Sequence, residues 1–505
     1  MTNFGQVLFM KKLLRKFVPE SIILLYHKTL AVLANVFYGF PSRRLKVIGV
    51  TGTNGKTTTC NLIWEILTEA GNKVGLTTSI NFKIADKSWI NRTKQGMQGR
   101  FRLQKLLREM VKAGCQYAVI ETTSEGIKQY RHWGINYQTV VFTNLTPEHI
   151  ESHGSFEKYK EAKGRLFAAL KGQELYSRLL RHFAPRNDAK KVSVVNLDDE
   201  QAEYFVKFEA DEKWGYGVKS EIRNPKSEKN FKNQISNFKK IIATDCKLLA
   251  QGSEFDLEYE NQKYHFKTNL LGEFNIYNCL AAIAVGLLQG VEIKIIQQAL
   301  EKMVGVPGRM EVIYDSKRDI TVIVDYAHDP AALEKVYETI LSVRGSGYLP
   351  SLASNSFASL SRGSLCSPEA RPSSGKHPEP HSSIIAVLGA VGGGRDKAKR
   401  PKLGSLAAKY AKYVIITNED PYDDDPAEIM NQVEVGVKSD LNRQINQNYW
   451  KILDRRKAIE KAVALAKPKE VIVLTGKGCE EVMAVRECLV PWDDRAVVRQ
   501  VLGIA

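Results

Sequence analysis

A glycine-rich loop between an apolar run and a helical pattern constrains the fold of this chain more than any other feature. The stretch KVIGVTGTNGKTTTCNLIWEIL places Gly52 and Gly55 directly before Lys56 and Thr57. The usual phosphate-loop pattern, G-x-x-x-x-G-K-[ST], would need a glycine at the position of Val50. A strand, a tight glycine turn and a helix N-terminus still present backbone N–H groups to phosphate. The stretch therefore predicts a nucleotide-binding loop whose sequence pattern differs from the usual one. A plain strand-to-helix turn is the competing interpretation.

Apolar runs that end in polar residues recur along the chain, with helical patterns between them. Such alternation predicts an α/β fold with parallel sheets, whose ligands bind at the carboxyl ends of the strands. We expect a central P-loop-type, parallel-sheet ATPase domain followed by a Rossmann-like C-terminal α/β domain. The runs are Tyr117–Ser124 and Thr139–Thr146 in the first series, and Thr321–His328, Ser383–Ala390, Tyr413–Asp420 and Glu470–Gly478 in the second.

The expected domains are an N-terminal amphipathic helical segment (1–45), the ATP-binding domain (46–307) and the C-terminal domain (308–505). Residues 190–270 are mixed in pattern and are expected to add strands to the first domain. The segment 345–383 is rich in serine, proline and glycine, which predicts a disordered insertion, with an ordered lid as the alternative.

Charge and cysteine content narrow the partners and the compartment. The net charge of +17 over 505 residues suits an anionic partner, and the chain has no nucleic-acid-binding signature. Seven scattered cysteines without a C-x-x-C pair predict reduced thiols in the cytoplasm. The N-terminal segment is basic and then apolar, which suits either a helix packed on the next domain or attachment to the inner membrane surface.

Two further residues suit a metal beside the loop. Glu121 ends a predicted buried strand and His149 follows another. A buried strand-end carboxylate is costly unless it is paired or bound to a metal, although either residue alone would suit a structural role. Behind a phosphate loop, with Thr57 able to hold Mg²⁺ through its hydroxyl, the two predict a metal site.

Ordered motifs through the chain resemble the Mur ligase superfamily, and within it the tripeptide synthetases (MurE-type). The family joins amino acids to peptidoglycan precursors by ATP-dependent amide-bond formation, and its phosphate loop resembles G-T-N-G-K-T. The matching motifs are VTGTNGKTTT, ETTSEGIKQYR, VVFTNLTPEHIESHGSFEKYKEAKGRLF, GEFNIYNCLAA, VPGRMEVI, VDYAHDPAALE, GGGRDKAKRP, NEDPYDDDP, LTGKGCE and WDDR.

The resemblance implies roles for individual residues. It makes Lys56, Glu121, His149 and Lys163 catalytic, with Thr57, Glu121, His149 and a carbamylated Lys163 around Mg²⁺. Without the family, Lys163 would be read as a solvent-exposed helix lysine. The implied ATP-binding residues are Thr51, Gly52, Thr53, Asn54, Gly55, Lys56, Thr57, Thr58, Asn278, Arg309, Asp325 and His328. The implied substrate-binding residues are Thr123, Gln129 and Arg131 for the muramoyl peptide, and Arg395, Gly476 and Glu480 for the free amino acid.

Three departures from the family leave questions open. Members that add diaminopimelate carry D-N-P-R, whereas this chain has Glu419-Asp420-Pro421-Tyr422 and so lacks a cation for the extra carboxylate. Cys479 stands where the family usually shows histidine. About forty-five residues precede the loop, too few for the domain that grips the uridine nucleotide.

The motifs favour a cytoplasmic, monomeric ligase that acts on a muramoyl peptide. Several alternatives to this function remain. The acceptor could be carried on UDP or on a lipid. The chain could instead be similar to the two-domain folylpolyglutamate synthetases, which have a comparable loop. A nucleotide-binding scaffold without catalysis is the non-enzymatic alternative.

Overall fold

The computed structural model describes residues 18–148, 153–171, 189–218, 234–249, 251–345, 383–394, 397–486 and 488–504. The basic lead-in before residue 18 and most of the serine-rich 345–383 segment lie outside the described residues, so the disorder expected there is not addressed. The chain divides into two compact units, Met1–Val306 and Pro307–Ala505.

The first unit is built on one sheet of eleven strands, in the order β11-β10-β9-β8-β7-β6-β1-β5-β2-β3-β4. The strands are β1 Lys46–Thr51, β2 Val74–Thr77, β3 Asn81–Ile84, β4 Lys87–Ile90, β5 Tyr117–Glu121, β6 Tyr137–Phe142, β7 Val192–Asn196, β8 Glu212–Val218, β9 Lys239–Leu249, β10 Gly252–Tyr259 and β11 Gln262–Thr268.

Seven neighbouring strands of this sheet, from β9 to β2, are parallel. Their central members β1, β5 and β6 are almost wholly buried, because a parallel sheet is covered on both faces and its strands read as continuous apolar runs. Antiparallel hairpins finish both edges. The 190–270 region supplies β7–β11, so the expected extra strands join the first sheet.

Helices cover this sheet and connect its strands. They are α1 Glu20–Phe37, α2 Lys56–Glu69, α3 Arg100–Lys112, α4 Ser124–Lys128, α5 Phe156–Ala168, α6 Ala202–Val206, α7 Glu273–Leu288 and α8 Ile293–Lys302, with a 3-10 turn at Pro41–Arg44.

Helix α7 fixes the back of the phosphate loop. Its sequence, EFNIYNCLAAIAVGLL, is apolar on nearly all sides, as expected of a helix buried in a core. It packs on α2, and a Cβ added at Gly286 would lie 2.9 Å from the Ile66 side chain. Towards the other end of the two helices, Asn278 in the second turn of α7 lies beside the first turn of α2, where it accepts a hydrogen bond from Thr59 Oγ1.

The second unit has a six-stranded sheet in the order β12-β13-β17-β14-β15-β16, in which only β12 runs antiparallel to its neighbour. A separate hairpin pairs β18 with β19. The strands are β12 Glu311–Asp315, β13 Ile320–Val324, β14 Ile384–Leu388, β15 Tyr413–Thr417, β16 Tyr449–Ile452, β17 Val471–Leu474, β18 Val482–Val485 and β19 Cys488–Pro491, and the helices are α9 Pro330–Gly345, α10 Lys399–Tyr410, α11 Pro426–Val437, α12 Arg455–Leu465 and α13 Asp494–Leu502.

The expected fold class is confirmed: the chain is α/β, with a large parallel-rich sheet and a second α/β sheet. The predicted runs extend past the strands by a few polar residues. For example, β5 ends at Glu121, and Thr123 then caps α4 by accepting a hydrogen bond from the Gly126 N–H at 3.2 Å. Apolar periodicity finds the buried part of a strand, whereas polar side chains decide where the chain turns.

Candidate active site

The phosphate loop joins the end of β1 to the first residue of α2. Gly55 has φ +82°, and a Cβ added there would lie 2.3 Å from Asn278 Oδ1. A Cβ at Gly52 would lie 1.9 Å from Thr143 Oγ1. Gly52 also has a positive φ, of +152°, so both positions need glycine for backbone conformation and for space. The resulting turn brings the backbone to the N-terminus of α2, where free N–H groups favour an anion.

Two other segments, helix α7 and the residues that follow β6, hold this loop in place. The Asn54 N–H donates to Asn144 Oδ1 at 2.9 Å, and Asn144 Nδ2 donates back to the Asn54 carbonyl at 3.0 Å. Thr53 Oγ1 accepts from the Thr146 N–H at 3.0 Å. Behind the loop, Thr59 Oγ1 donates to Asn278 Oδ1 at 3.2 Å. The loop is therefore a fixed structure, tied to the ends of neighbouring strands.

Two lysine side chains meet at one carbonyl oxygen of the loop. Lys56 Nζ donates to the Gly52 carbonyl at 3.0 Å and also to that of Thr53, and Lys163 Nζ donates to the Gly52 carbonyl at 2.6 Å. Lys163 is 1% exposed, so it is not the solvent-exposed helix lysine that its surroundings in sequence suggest. Burial, followed by the charge of Lys56, lowers the pKa of Lys163 well below its usual value. The structure thus provides an amine that readily loses its proton.

A set of oxygen donors lies at the same strand edge. Glu121 is 3% exposed, and its Oε2 accepts hydrogen bonds from Thr57 Oγ1 at 2.9 Å, the Ser79 N–H at 2.8 Å and Ser79 Oγ at 3.1 Å. A carboxylate and two hydroxyls are the hard oxygen ligands that Mg²⁺ prefers. Among the described residues, no group of three or more His, Cys, Asp and Glu side chains is placed to hold a metal. Any ion here would rely on hydroxyl and phosphate oxygens as well.

Sequence reasoning missed Ser79. It follows β2 in the segment Thr77-Thr78-Ser79, and β2 is a parallel neighbour of β5. Because the carboxyl ends of parallel strands meet at one edge, a short polar run after β2 was the signal that could have found it.

The three residues expected to hold the muramoyl peptide follow β5, and two of them, Gln129 and Arg131, are hydrogen-bonded to each other. Arg131 donates from Nη2 to Gln129 Oε1 at 2.9 Å and from Nη1 to the Met97 carbonyl. The loop around Gly96 packs against Thr123, with a Cβ at Gly96 only 2.6 Å from Thr123 Cγ2. Burial lowers the pKa of Arg131. A guanidinium held in this way can receive a carboxylate or a phosphate.

In the second unit, the residues matched to the nucleotide lie around the end of β13. Asp325 is buried and accepts from the Met310 and Ala327 N–H groups, both at 2.7 Å. Burial raises its pKa, against the opposing charge of Arg309. The Arg309 guanidinium stacks on the Tyr326 ring at 4.6 Å, and the His328 ring lies 4.9 Å from that of Tyr326.

Two of the residues matched to the free amino acid, Gly476 and Glu480, lie next to or in contact with a buried lysine of the same unit. Lys477 donates from Nζ to Asp420 Oδ1 at 2.9 Å, to Glu480 Oε2 at 2.5 Å and to the Val482 carbonyl at 2.7 Å. One cation therefore serves two carboxylates. Gly476 has φ +102°, and a Cβ there would lie 2.2 Å from the Glu419 carboxylate. Lys477 and Glu419 were not singled out from the sequence.

Two expected site residues, His149 and Arg395, lie outside the described residues. The other expected residues divide between the units: the phosphate loop, Glu121, Lys163, Asn278 and the Gln129–Arg131 segment belong to the first, and Arg309, Asp325, His328, Gly476 and Glu480 belong to the second.

Comparison with known proteins decides the family. Residues 50–286 match the Mur ligase middle domain, and residues 373–478 match the Mur ligase glutamate ligase domain. The 2,6-diaminopimelate ligase of UDP-N-acetylmuramoyl-L-alanyl-D-glutamate from Bacillus cereus is 33% identical over 485 residues, covering 96% of this chain and 84% of the relative. The chain belongs to the Mur ligase family.

Further relatives agree with this assignment. The corresponding ligase of Aquifex aeolicus is 34% identical over 96% of this chain and 83% of its own length. The UDP-N-acetylmuramyl-tripeptide synthetase of Roseiflexus is 33% identical over 94% and 82%. Mur ligases are ATP-dependent ligases, so the predicted family and the predicted class of enzyme are both confirmed.

Solved structures place the fold in the same family. A 2,6-diaminopimelate ligase structure matches with a TM-score of 0.52 and 27% identity, over 91% of this Mur ligase and 78% of that chain. The folylpolyglutamate synthase of Mycobacterium tuberculosis matches with a TM-score of 0.59 and 16% identity, over 96% and 100%. The second match concerns the fold alone.

Proposed function

We propose that this Mur ligase joins a free amino acid to a muramoyl peptide in the cytoplasm, converting ATP to ADP and phosphate. A carboxylate oxygen of the acceptor attacks the γ-phosphorus, the bond to the ADP oxygen breaks, and an acyl phosphate forms. The amino group then attacks the acyl carbon, phosphate leaves with the acceptor's oxygen, and the amine loses a proton. The observation that carries this proposal is the phosphate loop with Lys56, together with the oxygen set of Thr57, Ser79 and Glu121, of which Thr57 and Glu121 are buried.

The phosphate loop would hold the ATP phosphates through its backbone N–H groups and Lys56. The oxygen set fits Mg²⁺, with Thr57 and Glu121 in the described part and His149 as a further ligand expected from the family. Bound Mg²⁺ supplies positive charge against the phosphate oxygens. Asn278, Arg309, Asp325 and His328 are proposed to contact the nucleotide, as in the family the chain belongs to.

Lys163 is proposed to act as a carbamate. Burial and Lys56 lower its pKa, so a neutral amine is available to attack carbon dioxide; the amine forms an N–C bond and releases one proton. The product is an anion on a side chain that lies next to the loop at the Gly52 carbonyl. A negative charge at this position would be stabilised by the positive charges of Lys56 and of a bound divalent cation.

The acceptor would bind at Thr123, Gln129 and Arg131. Arg131 offers a guanidinium to a carboxylate of the peptide, and its contacts to Gln129 and Met97 fix its direction. Relatives are named for a UDP-linked acceptor. For this chain we propose a muramoyl peptide as the acceptor, carried either on UDP or on a lipid. We also propose that the protein is a monomer and does not bind nucleic acid.

The incoming amino acid is proposed to be a diamino acid with no second carboxylate, such as lysine. Tyr422 occupies the position at which diaminopimelate-adding members carry arginine. Near it, Lys477 already pairs with both Asp420 and Glu480, so this cation is already occupied and does not offer itself to a further carboxylate. Such surroundings favour a distal ammonium over a distal carboxylate.

Phosphate release from the purified protein tests this proposal. Phosphate should appear only when ATP, a muramoyl dipeptide and an amino acid are all present, and a panel of lysine, ornithine, diaminopimelate and glutamate identifies the amino acid. Lys56→Ala should abolish release, and Lys105→Ala, a change on the exposed surface of α3, should not.

Three outcomes decide among the alternatives. Phosphate release with folate and glutamate but with no muramoyl peptide would assign the chain to the folylpolyglutamate class. Equal release by the wild type and Lys56→Ala would remove the catalytic role of the loop. Absence of release with every acceptor would favour a scaffold.

A further inference from the structure

The outward side of α1 is apolar. Its residues Leu25 and Phe37 are 64% and 73% exposed. Four other apolar side chains of the helix are also exposed: Ile22, Tyr26, Leu33 and Val36. Since each residue of a helix turns by about 100°, these six side chains fall on one stripe about 120° wide. The stripe also contains Thr29, whose hydroxyl donates to the helix's own Leu25 carbonyl at 3.0 Å.

The inward side of α1 buries Ala31 and Ala34, and the polar contacts of the helix to the domain lie on the side away from the stripe. Asn35 is buried, and its Nδ2 donates to the Trp133 carbonyl at 3.1 Å. The Lys28 ammonium lies 4.5 Å from the centre of the Trp133 ring, and Glu20 pairs with Lys128 at 3.5 Å. A surface helix of a water-soluble domain normally exposes polar residues, whereas the outward side of α1 exposes apolar ones. The outward stripe is therefore built for an apolar environment.

The charges around α1 are mainly positive. Arg43 and Arg44 follow the helix, and Arg102 and Lys105 are exposed on α3, on which α1 packs. In the sequence, Lys11, Lys12, Arg15 and Lys16 precede the helix. Phe101 extends the apolar stripe, with its ring 6.3 Å from that of Phe37. Apolar residues next to a basic rim complement the interface of an anionic bilayer.

We propose that the stripe of Ile22, Leu25, Tyr26, Leu33, Val36 and Phe37 docks this protein on an anionic lipid surface, with α1 lying in the plane of the interface. By length and a mean hydropathy of 1.2, α1 is the one described helix that could cross a membrane, and 17% of it is buried. A spanning helix would have to give up the contacts of Asn35, Lys28 and Glu20 to the domain, and place those side chains in hydrocarbon at high cost. The geometry therefore points to lying on the membrane.

Docking would bring the acceptor-binding segment close to the lipid. The contacts of α1 reach Lys128 and Trp133, and Gln129 and Arg131 lie between those two positions. An acceptor held there could keep a lipid carrier in the bilayer while its peptide reaches the phosphate loop. This consequence rests on the proposed function, whereas the docking of α1 does not.

Sedimentation with vesicles tests the docking. The full chain should pellet with vesicles of phosphatidylcholine and phosphatidylglycerol, and much less with phosphatidylcholine alone or at high salt. Replacing Leu25, Leu33 and Phe37 by glutamate should lower the partition coefficient by about tenfold or more, because each removes a large apolar side chain from the interface. Leu441→Glu, at a residue 94% exposed in the other unit, should leave binding unchanged.

Other outcomes would overturn the docking. One is that the wild type does not pellet with the anionic vesicles at low salt. Another is that the triple variant pellets as well as the wild type, which would assign the binding to residues 1–17 or to another part of the chain. Equal pelleting with neutral vesicles would contradict the charge argument. If the wild type is a dimer in solution that the triple variant converts to a monomer, with no vesicle binding by either, then a second copy covers the stripe.

Thermal unfolding and Lys56→Ala serve as controls. The triple variant should unfold close to the wild-type temperature, because all three substituted side chains are more than half exposed and only the Phe37 ring contact to Phe101 is lost among the contacts described above. Lys56→Ala should bind vesicles like the wild type, so that failure of the ligase reaction and failure of docking can be told apart.

Discussion

Thr57 Oγ1 donates to Glu121 Oε2 at 2.9 Å, and this bond joins the phosphate loop to the end of β5 across 64 positions of sequence. Both side chains are buried. Ser79 donates twice to the same oxygen. Three donors on one oxygen hold this buried carboxylate in a single direction, and an oriented carboxylate is a ligand type that suits Mg²⁺ beside a triphosphate.

Replacing Glu121 by glutamine should therefore impair catalysis more than folding. The amide keeps the shape and one oxygen, so the melting temperature should stay close to that of the wild type. Losing the charge should lower phosphate release by about 10²–10³-fold, the size typical of a lost electrostatic contact at a reacting centre. The matched control is Glu109→Gln, whose carboxylate forms a surface ion pair with Lys105. Wild-type turnover by Glu121→Gln would exclude the carboxylate from the site.

Alanine at Gly55 should be far more harmful than alanine at Gly71. Both glycines have φ +82°, so both substitutions carry the same backbone strain of about 1 kcal/mol. A Cβ at Gly71 meets nothing within 4 Å, whereas a Cβ at Gly55 would lie 2.3 Å from Asn278 Oδ1. Denaturant unfolding measures the two free energies, and nucleotide binding should be lost only in Gly55→Ala. Equal losses of unfolding free energy in the two variants would mean that the Asn278 side chain can move away from the new Cβ without destabilising the fold.

The buried imidazole of His132 should make the protein sensitive to acid. Burial, with a smaller contribution from Arg165, lowers the pKa of His132 from 6.5 to about 3. The unfolded chain then binds more protons between these values, so stability falls as the pH drops below 6.5, by up to about 1.4 kcal/mol per pH unit.

Unfolding free energies at several pH values, for the wild type and His132→Phe, check this expectation. The variant should show a shallower loss between pH 6.5 and the acid limit. His265→Gln, at an exposed histidine, is the control. Parallel curves for the wild type and His132→Phe would show that other groups cause the acid sensitivity.

The sequence predicted the strands and the loop well, because buried parallel strands and a glycine turn before a helix leave local patterns. Lys163 shows what was overlooked. Tyr159, Ala162, Lys163, Leu166 and Phe167 are all buried in α5, and their spacing is that of one helix face. The lysine thus lies in an apolar stripe, which the periodicity could have revealed.

Ser79 and Lys477 had weaker signals. Each acts through a partner that is remote in sequence: Ser79 reaches Glu121 over 42 positions and Lys477 reaches Asp420 over 57. Such pairs arise from strand order, and strand order is a tertiary property that the pattern within one segment does not encode. The apolar outward face of α1 likewise emerged only when the structure fixed which side packs on the domain.

Tyr422→Arg should change the choice of amino acid. The substitution places a guanidinium where diaminopimelate-adding members have one, so the ratio of kcat/KM for diaminopimelate to that for lysine should rise by about tenfold or more. Tyr422 has φ +52°, and Arg486, with φ +50°, already shows arginine in that backbone region nearby. Tyr422→Phe is the matched control, and an unchanged ratio in Tyr422→Arg would remove this position from the amino-acid site.

Oxygen transfer during turnover tests the account most directly. If the acceptor's terminal carboxylate is labelled with ¹⁸O and the protein is supplied with ATP and the amino acid, the acyl phosphate route moves one labelled oxygen into each phosphate. Mass spectrometry of the released phosphate should then find one ¹⁸O per molecule, matched by one amide product. Phosphate that carries no ¹⁸O, with its fourth oxygen taken from water, would show hydrolysis of ATP without activation of the carboxylate, and would contradict the proposed reaction.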